Sequence, residues 1–152
     1  MNRIAIESFS IMGISVRTTN ESGQSSEDIP ALWDKFLSGN IIAQIPNKTD
    51  DTVYSVYSDY EGDHTKPYSI IIGCKVKNLD SIPEGLIGKS FSKGQYLIFT
   101  AKGKLSDGII YKEWEKIWNS GIKRKYTADF EMYGEKAKDP EDAEIDIYIA
   151  VE

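Results

Sequence analysis

Two short stretches constrain this chain more than any other feature: "WDKFLSG" at residues 33–39 and "WEKIWNSG" at residues 114–121. Both carry Trp, an acid, Lys, an apolar residue and a closing Gly in the same order, and both end an amphipathic segment. Over residues 26–38, Ile29, Leu32, Trp33, Phe36 and Leu37 recur at helical spacing and form one apolar stripe. Ser25 or Ser26 is placed to cap that helix, with acids in its first turn and Pro30 early. Over residues 106–119, Ile110, Trp114, Ile117 and Trp118 form a second stripe behind Ser106 or Asp107 as cap. Gly39 and Gly121 are the expected stops.

The flanks repeat as well. Extended segments precede the helices at residues 3–19 and 90–104. A hairpin pattern follows each: "DTVYSVYSDY" and "PYSIIIGCKV" after the first, "TADFEMYG" and "EIDIYIAVE" after the second. Residues 78–90, "NLDSIPEGLIGKS", read as the connection. The plan is β-α-β-β twice. It predicts an α+β fold in one domain spanning residues 1–152, with pseudo-repeats over about 1–78 and 90–152. The expected architecture is an antiparallel sheet with two helices on one face and a ligand groove on the other.

Charge and composition narrow the function. With 18 Lys and Arg against 24 Asp and Glu, the net charge is −6, a poor match for nucleic acid, which needs clustered cations. The single cysteine, Cys74, lies in the apolar run "SIIIGCKV" and reads as a buried thiol. No apolar run reaches membrane-spanning length, and the first residues lack a secretory leader pattern. The expectation is a soluble, cytoplasmic protein with no membrane partner.

One strand carries an unusual pair. In "YTADFEMYG", residues 126–134, Asp129 and Glu131 stand in an otherwise aromatic, apolar and small run. Alternation puts Glu131 with Asp129 and Tyr133 on one face and Phe130 with Met132 on the other. In the last strand Ile145, Ile147 and Ile149 share one face, Tyr148 the other. Assigning Phe130, Met132 and the isoleucines to the helices leaves Glu131 and Tyr148 together on the opposite, grooved face. A carboxylate among rings is partly desolvated and calls for a cation, and Tyr and Trp faces attract one. Pattern alone slightly favours the plainer alternative, a glutamate at a wet sheet edge among ordinary strand tyrosines.

Beyond pattern, the chain resembles the gyrase-inhibitor-like (GyrI-like) effector-binding family, which also supplies the ligand-sensing domains of AraC-type and MerR-type multidrug regulators. The resemblance rests on "VYSVYSDYEGDHTKPYSIIIGCKV", "IPEGLIGKSFSKGQYLIFTAKG", "YKEWEKIW", "RKYTADFEMYG" and "AEIDIYIAVE", in order, over nearly the whole chain. It is most similar to stand-alone members, among them integron-cassette cationic-drug-binding proteins. The resemblance implies tandem β-α-β-β (SHS2-like) units and a pocket whose acid corresponds to Glu131. Tyr148, Trp33, Tyr57, Tyr60, Tyr68 and Trp114 are implied as further ligand contacts. The helix-turn-helix of the regulators has no counterpart here, so a regulatory role would need a DNA-binding partner protein.

Three functions stay in play. The first is binding of a small hydrophobic or cationic ligand, as a sensor or sequestering module. The second is hydrolysis of a reactive electrophile by Glu131 with Tyr148. The third is a protein-interaction role of the gyrase-inhibitor type. Binding alone requires the fewest coincidences, so no catalytic residue, cofactor or metal is assigned. His64 is the one histidine, and the turn holding it with Asp59, Glu61 and Asp63 reads as a solvated acidic loop.

Overall fold

The computed structural model describes residues 3–152. Its elements run in the order β1 (Ile4–Ile6), β2 (Phe9–Thr18), α1 (Ser25–Ser38), a single turn α2 (Ile41–Gln44), β3 (Val53–Ser58), β4 (Tyr68–Val76), β5 (Ile87–Phe91), β6 (Gly94–Gly103), α3 (Ile109–Trp118), β7 (Ala128–Tyr133) and β8 (Ala143–Val151). All eight strands join one sheet in the order β1-β6-β8-β7-β3-β4-β2-β5, with every pairing antiparallel. The α+β architecture is therefore as the sequence predicts. Within β2-α1-β3-β4 and within β6-α3-β7-β8 the strands lie in the same order, first, third, second, and β3 meets β7 at the centre.

The sheet curls. Residues 4–13 pair with residues 87–96 in one register that runs from Ile4↔Tyr96 to Gly13↔Ile87, broken only where both chains bend. Three pairs of that ladder lie at one end of the strand order and five at the other, so the two edges are drawn toward each other. Phe130 sits at the centre of the curl. The rings of Phe9, Tyr54, Tyr96 and Tyr148 pack around it with centroids 4.5 to 5.9 Å away. Close strand approach assists the bend: Gly13 and Gly73 are paired, and a Cβ on either would lie 2.0 Å from a backbone oxygen of the other strand.

The other face carries the helices. Leu32 and Phe36 of α1 and Trp114 and Ile117 of α3 pack with Met12, Ile14, Ile70, Ile72, Ile147 and Ile149 in one buried cluster. Each such side chain removed from water contributes about 1.5–3 kcal/mol. The isoleucines of β8 thus face the helices, as expected.

Three expectations change. Residues 87–91 form strand β5 at the sheet edge, where a connection was expected. Neither long helix has a side-chain cap: α1 follows Gln24, and α3 follows Gly108, whose φ of +69° turns the chain out of a 3-10 turn containing Ser106 and Asp107. The face opposite the helices is largely taken up by the aromatic cluster around Phe130, which leaves there a smaller cavity of about 250 Å³ beside Phe91 and Tyr96 in place of the expected ligand groove.

Candidate functional site

A cavity of about 520 Å³ lies on the helix face, between α1 and α3. Trp33 enters from α1, Trp114 and Trp118 from α3, while Tyr57, Tyr68 and Glu131 come from β3, β4 and β7 below. Strand register explains why Glu131 is there. It pairs with Ser55 on one side and Ile147 on the other, and directly opposed residues share a face. Phe130 pairs instead with Tyr148, and their rings stack at 4.5 Å and 11° inside the curl. The expectation that Glu131 and Tyr148 share a face is therefore corrected: they lie on opposite faces. Of the residues singled out in the sequence, Glu131, Trp33, Tyr57, Tyr60, Tyr68 and Trp114 line the cavity, and Tyr148 does not.

Glu131 is 2% exposed and satisfied entirely by neutral donors. Tyr57 Oη–H and Trp114 Nε1–H donate to its Oε2 at 2.6 and 2.7 Å, and Tyr133 Oη–H donates to Oε1 at 2.6 Å. Tyr133 is braced by the edge of Trp33, with centroids 4.8 Å apart. Burial pushes the Glu131 carboxyl above the usual carboxylate range, and the bonds from Tyr133, Tyr57 and Trp114 pull against that rise. Burial and the Glu131 charge drive Tyr57 and Tyr133 well above the ordinary phenol range, so both remain donors.

Asp129, two residues earlier on the same face, is the internal control. It is fully buried and has a cation: Arg124 Nη2 donates to its Oδ2 at 2.7 Å. Tyr60 donates to the same oxygen and the Ala150 amide to Oδ1. Among the described residues Glu131 has no such ion pair. One strand thus buries two carboxylates, one neutralised by the protein and the other left facing an aromatic cavity.

Several lining residues were not singled out from sequence. Tyr133 follows from alternation with Glu131. Arg124 precedes β7, in a loop where Tyr126 takes a left-handed φ of +57° and lays its ring 4.4 Å from the guanidinium carbon. His64, read as a solvated turn residue, stacks on Trp118 at 5.5 Å and 13° and helps to wall the cavity. Its acidic neighbours point elsewhere: Asp59 pairs with Lys89 and Glu61 with Arg17. Among the described residues no group of three or more His, Cys, Asp or Glu is arranged to hold a metal. No helix there is long and apolar enough to cross a membrane.

The family model of integron-associated effector binding proteins, Cass2, matches residues 4–151. The chain belongs to that family. An integron cassette protein from the mobile metagenome of Vibrio cholerae is 31% identical to this Cass2-family chain, with a TM-score of 0.77 over 99% of this chain and 95% of the other. SAV2435, solved with tetraphenylphosphonium bound, matches in fold with a TM-score of 0.80 at 18% identity, over 99% of this chain and 93% of its own. YobU of Bacillus subtilis (strain 168), provisionally named a transcriptional regulator, is 29% identical over 143 residues, 91% of this chain and 89% of its own. The GyrI-like resemblance seen in the sequence thus holds at the level of family and fold.

Proposed function

We propose that this Cass2-family protein binds amphipathic organic cations in the cavity between α1 and α3, with Glu131 as the charge partner. One observation carries the reading: a buried carboxylate, held by three neutral donors and lacking a protein cation, faces a cavity walled by Trp and Tyr. A buried charge without a counter-charge is costly, and a ligand cation removes that cost on binding. The rings supply apolar area and quadrupole attraction for the ligand. The cavity volume suits one drug-sized molecule. That SAV2435 was solved with tetraphenylphosphonium, a lipophilic cation, supports the choice of ligand class. The domain would act as a sensor or sequestering module for such ligands.

Hydrolysis by Glu131 with Tyr148 has no geometric support, since the sheet separates them. The direct test is fluorescence titration with tetraphenylphosphonium and with neutral triphenylphosphine oxide. Saturable quenching by the cation, at least about tenfold tighter than by the neutral compound, is expected. Equal affinity for both would overturn the reading.

A further inference from the structure

Arg124 lines the same cavity, and its side chain is 4% exposed. Its Nη2 is engaged by Asp129 Oδ2 and lies 3.4 Å from Tyr60 Oη. Its Nε–H and Nη1–H groups have no acceptor among the described residues. Buried guanidinium donors normally find acceptors, and leaving them unpaired is unfavourable. The group cannot swing away to satisfy them. Asp129 holds one nitrogen, and the rings of Tyr126, Trp114 and Tyr60 lie 4.4, 5.7 and 5.8 Å from the guanidinium carbon. The charge itself is already neutralised by Asp129, and the surrounding rings close Nε and Nη1 off from water, so what Arg124 offers is directional hydrogen bonding to a ligand that displaces a ring edge, with little net attraction for an anion.

Trp114 relates this group to the carboxylate. The indole gives its Nε1–H edge to Glu131 and its ring to Arg124. A cation-accepting group and a set of unfilled donors thus flank one indole.

Resting on the cation-binding reading above, we infer that Arg124 forms a second subsite, and that the favoured ligands are organic cations carrying a carbonyl-type acceptor about one ring system from the positive charge. A site built to donate such bonds discriminates strongly against an analogue lacking the acceptor, because its own donors then stay unpaired.

The test compares two dyes with the same cationic xanthene, tetramethylrhodamine methyl ester and tetramethylrosamine, which lacks the ester. Fluorescence anisotropy on the wild-type protein is expected to show the ester bound at least about tenfold tighter. In Arg124→Met/Asp129→Asn, which neutralises both members of the buried pair, the ratio should collapse to about one. A wild-type ratio near one overturns the subsite, as does a ratio that survives in the double variant. Should that variant not fold, the wild-type ratio alone decides. Glu131→Gln separates the two claims: loss of rosamine binding there upholds the cation site whatever the ester ratio. Unchanged rosamine binding overturns the cation site, and the two-subsite ligand with it.

Discussion

Trp114 donates its indole N–H to the buried Glu131 carboxylate at 2.7 Å, joining the helix that walls the cavity to the strand that floors it. Helix position and carboxyl ionisation are therefore coupled. Trp114→Phe keeps the ring and removes the donor. A hydrogen bond to a charged group contributes about 1.5–3 kcal/mol. Urea unfolding at pH 8 is expected to show a loss of that order, with a smaller loss at acid pH where the carboxyl is protonated. A loss independent of pH would show that only packing had changed.

Glu131 should also shape the stability profile of the ligand-free protein. Burial raises its pKa against the pull of Tyr133, Tyr57 and Trp114, so the folded state keeps its proton to higher pH than the unfolded chain. Its contribution is fully present below the ordinary glutamate range and is lost as pH rises through the folded pKa. Glu131→Gln should flatten that part of the profile, measured by urea unfolding across pH 4–9 on the order of one-unit steps. Affinity for a permanent cation should run the other way, rising over the same window as the carboxylate forms. His64 also lines the cavity, so a His64→Gln background isolates the carboxyl.

Tyr148→Ala separates the two faces of the sheet. Tyr148 is half-buried and stacks on Phe130 inside the curl, so truncation should cost about 1–3 kcal/mol of stability. Tetraphenylphosphonium affinity should stay within about twofold of wild type, because distant sites without shared partners act independently. A tenfold loss of affinity in a folded variant would restore Tyr148 to the site.

Gly73→Ala addresses the curl itself. Its Cβ would lie 2.0 Å from the Met12 carbonyl oxygen, a backbone atom that cannot rotate aside. Overpacking of this kind costs about 1–3 kcal/mol, and the upper end is expected in thermal or urea unfolding. A neutral effect would show that β2 and β4 separate readily.

Element positions were legible in the sequence because Ile29, Leu32, Trp33 and Phe36 keep helical spacing while Ile145, Ile147 and Ile149 keep strand spacing. The face of β7 was not legible. Alternation separates Glu131 from Phe130, but it names the helix side only when one face of a sheet is buried. Here the curl buries both, so Phe130 and Tyr148 fill its inside while Glu131 and Ile147 meet the helices. The pairing of Phe130 with Tyr148, set by folding of the β7–β8 connection, leaves no mark on periodicity. Arg124 was hidden for a related reason. It lies outside any periodic element and reaches Asp129 through the left-handed turn at Tyr126.

Isothermal titration of tetraphenylphosphonium into wild type and Glu131→Gln at pH 8 tests the central claim most directly. Removing the charge partner from a buried site should weaken binding by about 2–5 kcal/mol while the variant stays folded. Wild-type affinity in a folded Glu131→Gln protein would contradict the assignment of Glu131 as the group that receives the cation.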